Sequence, residues 1–434
     1  MTSEPTRLTP TRIWAGHLTI GPRAEMPLAG YAGRTAPAPA APDALEANWV
    51  AWPTGPGGVG LFVALDTLFS SQAFEAALDA AMAAAGHPLT SLTVVASHTH
   101  FAPSLDPGKP GLGPCQGAYL DQVSDAIANT VAGTMAEGPP REINQAWFGA
   151  APAPGSIFRR RRGLTLQTRA PFLGVTTQMA PNPGVSIPRL CRIWGFGGNG
   201  DGPPDFVLAS WPCHPVSRHR LDQVSADYIA ALRDAIREHV RAPVPVLFLP
   251  GVSGDIRPDA RASLVSRRGL FPYPLQSSFG PASPAFQRAF NDGITQAART
   301  ALGAARPIAP GSDITVATGG VPLDCIAPGA GDGDMPVTAV RFLGVTVLGL
   351  GAEPSARWLD ALGWTDSDQT QILTGYTGPA FGYLPTRAQV KEGGYEVTGF
   401  GPAFGFSGRF DQDLDLDTMV LEAMRGTLEE VWTA

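Results

Sequence analysis

Five short runs of apolar residues constrain the architecture most: LFVAL at 61–65, LTVVA at 92–96, FVLAS at 206–210, VLFLP at 246–250 and VTVLGL at 345–350. Runs of this length, rich in β-branched residues and bounded by turn formers, read as strands. Helical patterns lie between them, at Ser71 to Ala85 (closed by Gly86), Ala118 to Glu137, Ser225 to Val240, Ala285 to Ala305 and Thr418 to Trp432. Strands alternating with helices predict an α/β fold, a mixed β-sheet flanked by helices with its site in loops at strand ends. The loops at 35–44, 103–114 and 257–284 are long, structureless and rich in Pro and Gly, a form more often functional than idle. None has the polar repetition of a linker, so the sequence predicts a single large domain over 1–434.

Composition narrows the function. Hydrophobic residues make up 44% and charged residues 16%, as in a globular chain. The net charge of −7 argues against nucleic acid as a general partner, since phosphate binding needs a basic face. No stretch approaches the ~18 uninterrupted apolar residues of a membrane span. The N-terminus has no apolar run after a basic start, so no secretory signal is expected. Cys115, Cys191, Cys213 and Cys325 form no CxxC pair, which points away from a disulfide framework or a cysteine zinc site and towards the cytoplasm. Lysine occurs only at Lys109 and Lys391 among abundant Arg, Ala, Gly and Pro, the pattern of a GC-rich bacterial genome.

Five segments carry candidate chemistry. SHTHFAP follows the LTVVA strand, and residues at i and i+2 of an extended chain share a side, so His98 and His100 can reach one point. Imidazole is a favoured zinc ligand. His214, in SWPCHPVSRH beyond FVLAS, reads either as a hydrogen-bonded structural histidine or as a site residue; His219 is the weaker candidate, on a loop surface. PGVSGDIRPD presents Asp255 at a glycine-rich turn, where it either closes its own turn or faces a ligand. Glu353 in GLGAEPSARW precedes a helix, whose dipole it could simply complement. The last segment, YTGPAFGYLPTRAQVKEGGYE, holds Tyr376, Tyr383 and Tyr395, ordinarily packing residues.

Taken in order, these segments resemble the catalytic domain of the neutral (alkaline, non-lysosomal) ceramidases, a family of zinc amidases. The resemblance starts at LTIGPRAEMPLAGYAGR, includes the strand ending in Asp66, and continues through SHTHFAP, FVLASWPCHPVS, PGVSGDIRPD, GLGAEP and GYLPTR–GGYE. It implies one zinc ion per chain, held by His98, His214, Glu353 and Tyr383. It also implies His100 and Tyr395 as donors to the oxyanion, joined by an arginine of the run 159–162, with Arg160 the choice; four arginines in a row also read as a solvated face. Asp255 would belong to the same catalytic set. The chain is expected to carry the catalytic domain without the family's C-terminal immunoglobulin-like domain.

One position departs from the pattern. Where the family's turn reads Gly-Asp-Val-Ser-Pro, this chain has Gly254-Asp255-Ile256-Arg257-Pro258. A guanidinium suits carboxylate or phosphate, so Arg257 is the candidate substrate-binding residue, unless Asp255 or Asp259 pairs with it permanently. The leading expectation is a zinc amidase acting on a small N-acyl or other amide-bearing molecule. A zinc esterase or lactonase, and less favourably a non-catalytic binding protein, are the alternatives.

Overall fold

Strands buried along their whole length need cover on both faces, and parallel pairing behind helical crossovers provides it. Val59–Leu65, Phe206–Ser210, Val246–Leu249 and Val345–Leu350 are buried at every residue. The computed structural model, which describes residues 11–433 apart from 35, 56, 167–172, 199–201, 263–277 and 312–313, places them in three parallel pairs. Val59–Leu65 lies beside Leu89–Ala96, Phe206–Ser210 beside Val246–Leu249, and Val345–Leu350 beside Gln371–Thr374. The crossover helices are Gln72–Ala84, Tyr228–Val240 and Arg357–Leu362. Ser71 caps the first of these by accepting a hydrogen bond from Phe74 N.

Antiparallel strands widen each pair into a mixed sheet. The first sheet adds Glu46–Pro53, Thr11–Thr19 and Arg141–Ile143; the second adds Leu190–Gly197, Gln145–Pro152 and Arg306–Ile308; the third adds Asp334–Phe342 and Ile314–Pro322. The α/β class expected from the sequence is therefore distributed over several mixed sheets. Their inner faces meet in one apolar cluster, with Trp52 and Phe62 from the first sheet, Trp194 and Leu208 from the second, and Phe342 and Val347 from the third. The helices pack on the outer faces, where the long helix Leu416–Thr433 covers the third sheet.

The predicted loop at 103–114 contains a short 3-10 turn, Pro110–Leu112. The loop predicted at 257–284 is partly built: Ile256–Pro258 pairs with Ser156–Phe158, and Arg261–Ala262 with Ser278–Phe279. Its middle, 263–277, and the leading residues 1–10 lie outside the described residues.

Candidate metal centre

Each parallel pair delivers one polar side chain just past a strand end. His98 follows Leu89–Ala96, His214 follows Phe206–Ser210, and Glu353 follows Val345–Leu350. His98 and His100 do meet, with Nε2 atoms 3.2 Å apart, but not through strand alternation. His98 has φ +63, a left-handed conformation costing a non-glycine residue about 1–3 kcal/mol, and this turn aims its ring. His98 Nδ1 lies 3.0 Å from Leu68 O, and Thr99 Oγ1 donates to Ser225 O at 2.7 Å, which fixes the turn. Gly30, at φ +109, passes so close to His100 that a Cβ there would stand 2.6 Å from its ring.

The PGVSGD turn supports His214. His214 Nδ1 lies 2.6 Å from Ser253 O and 3.1 Å from Ile256 O, so it is the protonated ring nitrogen. Gly254 brings the same turn against the strand Glu353–Pro354, where a Cβ would stand 2.5 Å from Glu353 O. Glu353–Pro354 pairs with Tyr383–Leu384, which sets Tyr383 beside Glu353.

His98 Nε2 and His214 Nε2 then lie 3.3 and 3.2 Å from the same Glu353 oxygen, Oε2. Tyr383 Oη is 3.5 Å from His214 Nε2, and one ligand atom from each of His98, His100 and His214 falls within 4.8 Å of the others. His98, His214 and Glu353 are each 1% exposed and Tyr383 4%. With both Nδ1 atoms turned to backbone carbonyls, the two Nε2 lone pairs face a carboxylate oxygen. Such convergence is repulsive unless a cation or protons lie between, and imidazoles anchored through the opposite nitrogen are how proteins present metal ligands. The residues therefore fit a divalent metal ion.

Electrostatics agree with that fit. Burial, then the Arg159 charge, pushes His214 down to about 4, and burial, then the neighbouring histidines, holds His100 well below its ordinary value. Burial alone would raise Glu353, but positive charge at the His98 and His214 ring nitrogens, which protons or a metal ion would supply, outweighs it and holds the carboxylate below its ordinary range. Burial drives the Tyr383 phenol well up, against the pull of the Arg159 charge.

Other residues proposed from the sequence fall in different places. Arg160 Nη1 donates to Glu396 Oε2 at 2.6 Å and its Nη2 to Gly393 O at 2.9 Å, so its guanidinium is engaged away from the histidines. Its neighbour Arg159 turns into the cluster, with Nη1 3.5 Å from His214 Nε2 and the guanidinium 5.2 and 5.7 Å from the Tyr383 and Tyr395 ring centres. Arg159 Nε donates to Glu396 Oε1 at 2.8 Å, while its Nη2 is buried with no acceptor among the described residues. Tyr395 packs edge-on to Tyr383 at 5.6 Å. The Asp255 carboxylate accepts from Ser355 Oγ, Ala356 N (2.9 Å) and Gln389 Nε2 (2.8 Å), which fastens the turn but leaves it outside the converging set. Arg257 pairs with neither Asp255 nor Asp259, since Asp259 binds Arg261 at 2.6 Å. His219 is exposed and bonded to Gln287.

Two supporting residues lie in the tyrosine-bearing segment, Tyr376 read from the sequence as a packing residue and Glu396 given no role. Tyr376, at φ +58, stacks on His98 at 4.2 Å, with its hydroxyl 3.0 Å from Ser253 Oγ and 3.5 Å from Glu353 Oε2. Glu396 joins Arg159 to Arg160 from the GGYE segment.

No family model and no curated protein sequence matches this chain. Among solved structures, the neutral ceramidase from Pseudomonas aeruginosa superposes with a TM-score of 0.67 at 13% identity, over 97% of this chain and 75% of that one. A ceramidase solved in complex with C2 gives 0.62 at 14% identity, over 97% and 76%. The chain thus has a neutral ceramidase-like fold, with a largely buried histidine cluster that could hold a metal ion.

Proposed function

We propose that this chain is a zinc-dependent hydrolase of a carbonyl–nitrogen bond in a small N-acyl or other amide-bearing molecule. The observation carrying this reading is the approach of two backbone-anchored imidazoles, at 3.3 and 3.2 Å, to one Glu353 oxygen. His98, His214 and Glu353 would hold the ion, with Tyr383 as the fourth ligand beside His214. A zinc ion supplies a Lewis acid and water acidified to a pKa of about 7.

The chain's own groups supply the rest. Arg159 takes the role that the sequence reading gave to Arg160: its unpaired Nη2 and the Tyr395 hydroxyl are the donors for the oxygen that gains charge as the carbonyl is attacked. His100, kept neutral by burial, is the group that would take the proton released by the attacking water and return it to the departing nitrogen. Asp255 acts through the turn that it fastens, holding Ser253 O and Ile256 O on His214. Metal analysis should find about one zinc per chain, and His98→Ala or His214→Ala should remove metal and amide hydrolysis together. Full hydrolysis by a demonstrably metal-free preparation would end this reading.

A further inference from the structure

The buried and half-buried arginines of this chain mostly place at least one terminal nitrogen on a carboxylate or carbonyl oxygen. Arg233 meets Asp66, Arg237 meets Glu46, Arg160 meets Glu396, and Arg192 donates to Gln371 O. Arg257 does not. Its guanidinium lies 4.4 Å from the Phe279 ring centre, its Nη1 reaches only the Met179 sulfur at 3.8 Å, and its Nε is buried without an acceptor. No carboxylate among the described residues pairs with it. The segment 263–277 that follows contains Arg267 and Arg268 and no acidic residue, so it adds positive charge only. A planar cation laid between a ring and a thioether keeps its hydrogen-bonding edge for an acceptor from elsewhere.

The location ties this cation to the metal centre. Ile256, the residue before it, accepts from His214 N and Nδ1. Met179, its sulfur contact, precedes Ala180, whose N–H donates to Arg159 O at 2.8 Å. Arg257 neighbours Arg159, Tyr31, Cys213 and Tyr383, and Tyr31 packs edge-on to His100 at 5.1 Å. Arg257 thus stands beside the histidine cluster, partly exposed, with Met179 38% exposed next to it.

We propose that Arg257 is a specificity residue that binds a carboxylate on the substrate, making the preferred substrate an anionic amide of the N-acyl amino acid type. This rests on the hydrolase reading for turnover, but not for binding. The chemistry is a bidentate, charge-assisted pair between guanidinium and carboxylate, with the scissile amide held towards His98, His214 and Glu353.

The test uses N-acylglycines, acetyl to lauroyl, against the matching neutral N-acylglycinamides. Both hydrolysis and equilibrium binding by calorimetry are measured on wild type, Arg257→Ala and Arg257→Lys. Arg257→Ala should raise KM and Kd about 30- to 150-fold for the acids and leave the amides within a few-fold. Arg257→Lys should restore part of the acid affinity, which separates charge recognition from a general defect, and melting curves report folding. Acid-selective binding lost in Arg257→Ala without any turnover would sustain the proposal while sinking the hydrolase reading. Equal hydrolysis of acids and amides by wild type, equal losses on both, or no acid-selective binding would overturn the proposal and leave the metal site to its own test.

Discussion

Two buried charge clusters in this molecule share their chemistry but not their balance. Beside the first sheet, Arg233 grips both oxygens of Asp66 at 2.5 and 2.9 Å, and Arg237 grips both of Glu46 at 2.7 Å, with Asn48 donating to Glu46 at 3.1 Å. Cations there face anions, and each guanidinium closes on both oxygens of a carboxylate. In the metal centre the count is open: two imidazole lone pairs face one carboxylate oxygen, and Arg159 Nη2 and His100 Nδ1 have no hydrogen-bond partner among the described residues. A balanced cluster is a fastening between elements. An unbalanced one is what a bound cation would complete, and since Arg233 and Asp66 are as buried as His98 and Glu353, burial alone does not separate structural charge from chemical charge.

The largest effect expected tests the balanced cluster. Asp66→Asn leaves Arg233 buried without its anion and should cost about 3–5 kcal/mol of unfolding free energy, with the metal content of the folded protein unchanged. Loss of zinc without loss of stability, read by denaturant melts and metal analysis, would reverse the roles of the two clusters. Next in size, Tyr395→Phe should keep zinc and lower kcat about 100-fold, because it removes a donor used chiefly in the transition state. Tyr383→Phe should weaken zinc binding instead, so identical behaviour of the two variants would undo the distinction between ligand and donor.

The smallest effect is in pH dependence, where the two clusters occupy different windows. His214 is lowered from 6.5 to about 4, so the unfolded chain binds a proton that the folded chain refuses. The stability this contributes is complete above 6.5 and is lost as pH falls towards 4. Glu46 is lowered from 4.5 to about 2, burial opposing and the Arg237 hydrogen bond prevailing, so its contribution is lost only between those values. Melting temperatures of metal-free protein should therefore fall in two stages on acidification. A single stage below 4.5 would mean that the metal centre contributes none of the dependence.

What could be read from the sequence follows burial. FVLAS and VTVLGL were legible to the residue because every side chain in them is apolar or small and buried. Thr11–Thr19 and Ile314–Pro322, half exposed and interrupted by Gly and polar residues, gave no such pattern. His98, His100, His214 and Glu353 were nominated by position after strands and Tyr383 only through the family resemblance, and the structure places them close together. Arg159 was not separable from Arg160, because which member of a run turns inward is set by a distant contact, Asp255 O with Arg159 N at 2.8 Å. Tyr376 was legible as a packing residue but not as the ring stacked on His98, because its left-handed backbone is imposed by the surrounding structure.

The three strand ends that carry His98, His214 and Glu353 belong to three separate sheets, joined by long stretches of chain. An ion held by all three would act as a crosslink among units that each form by local crossover packing, and its binding energy would count only after every sheet has docked. Metal uptake would then report the completion of folding. In refolding experiments, helix and sheet signals should recover before zinc is captured, with the delay set by assembly of the three units and not by encounter with the ion.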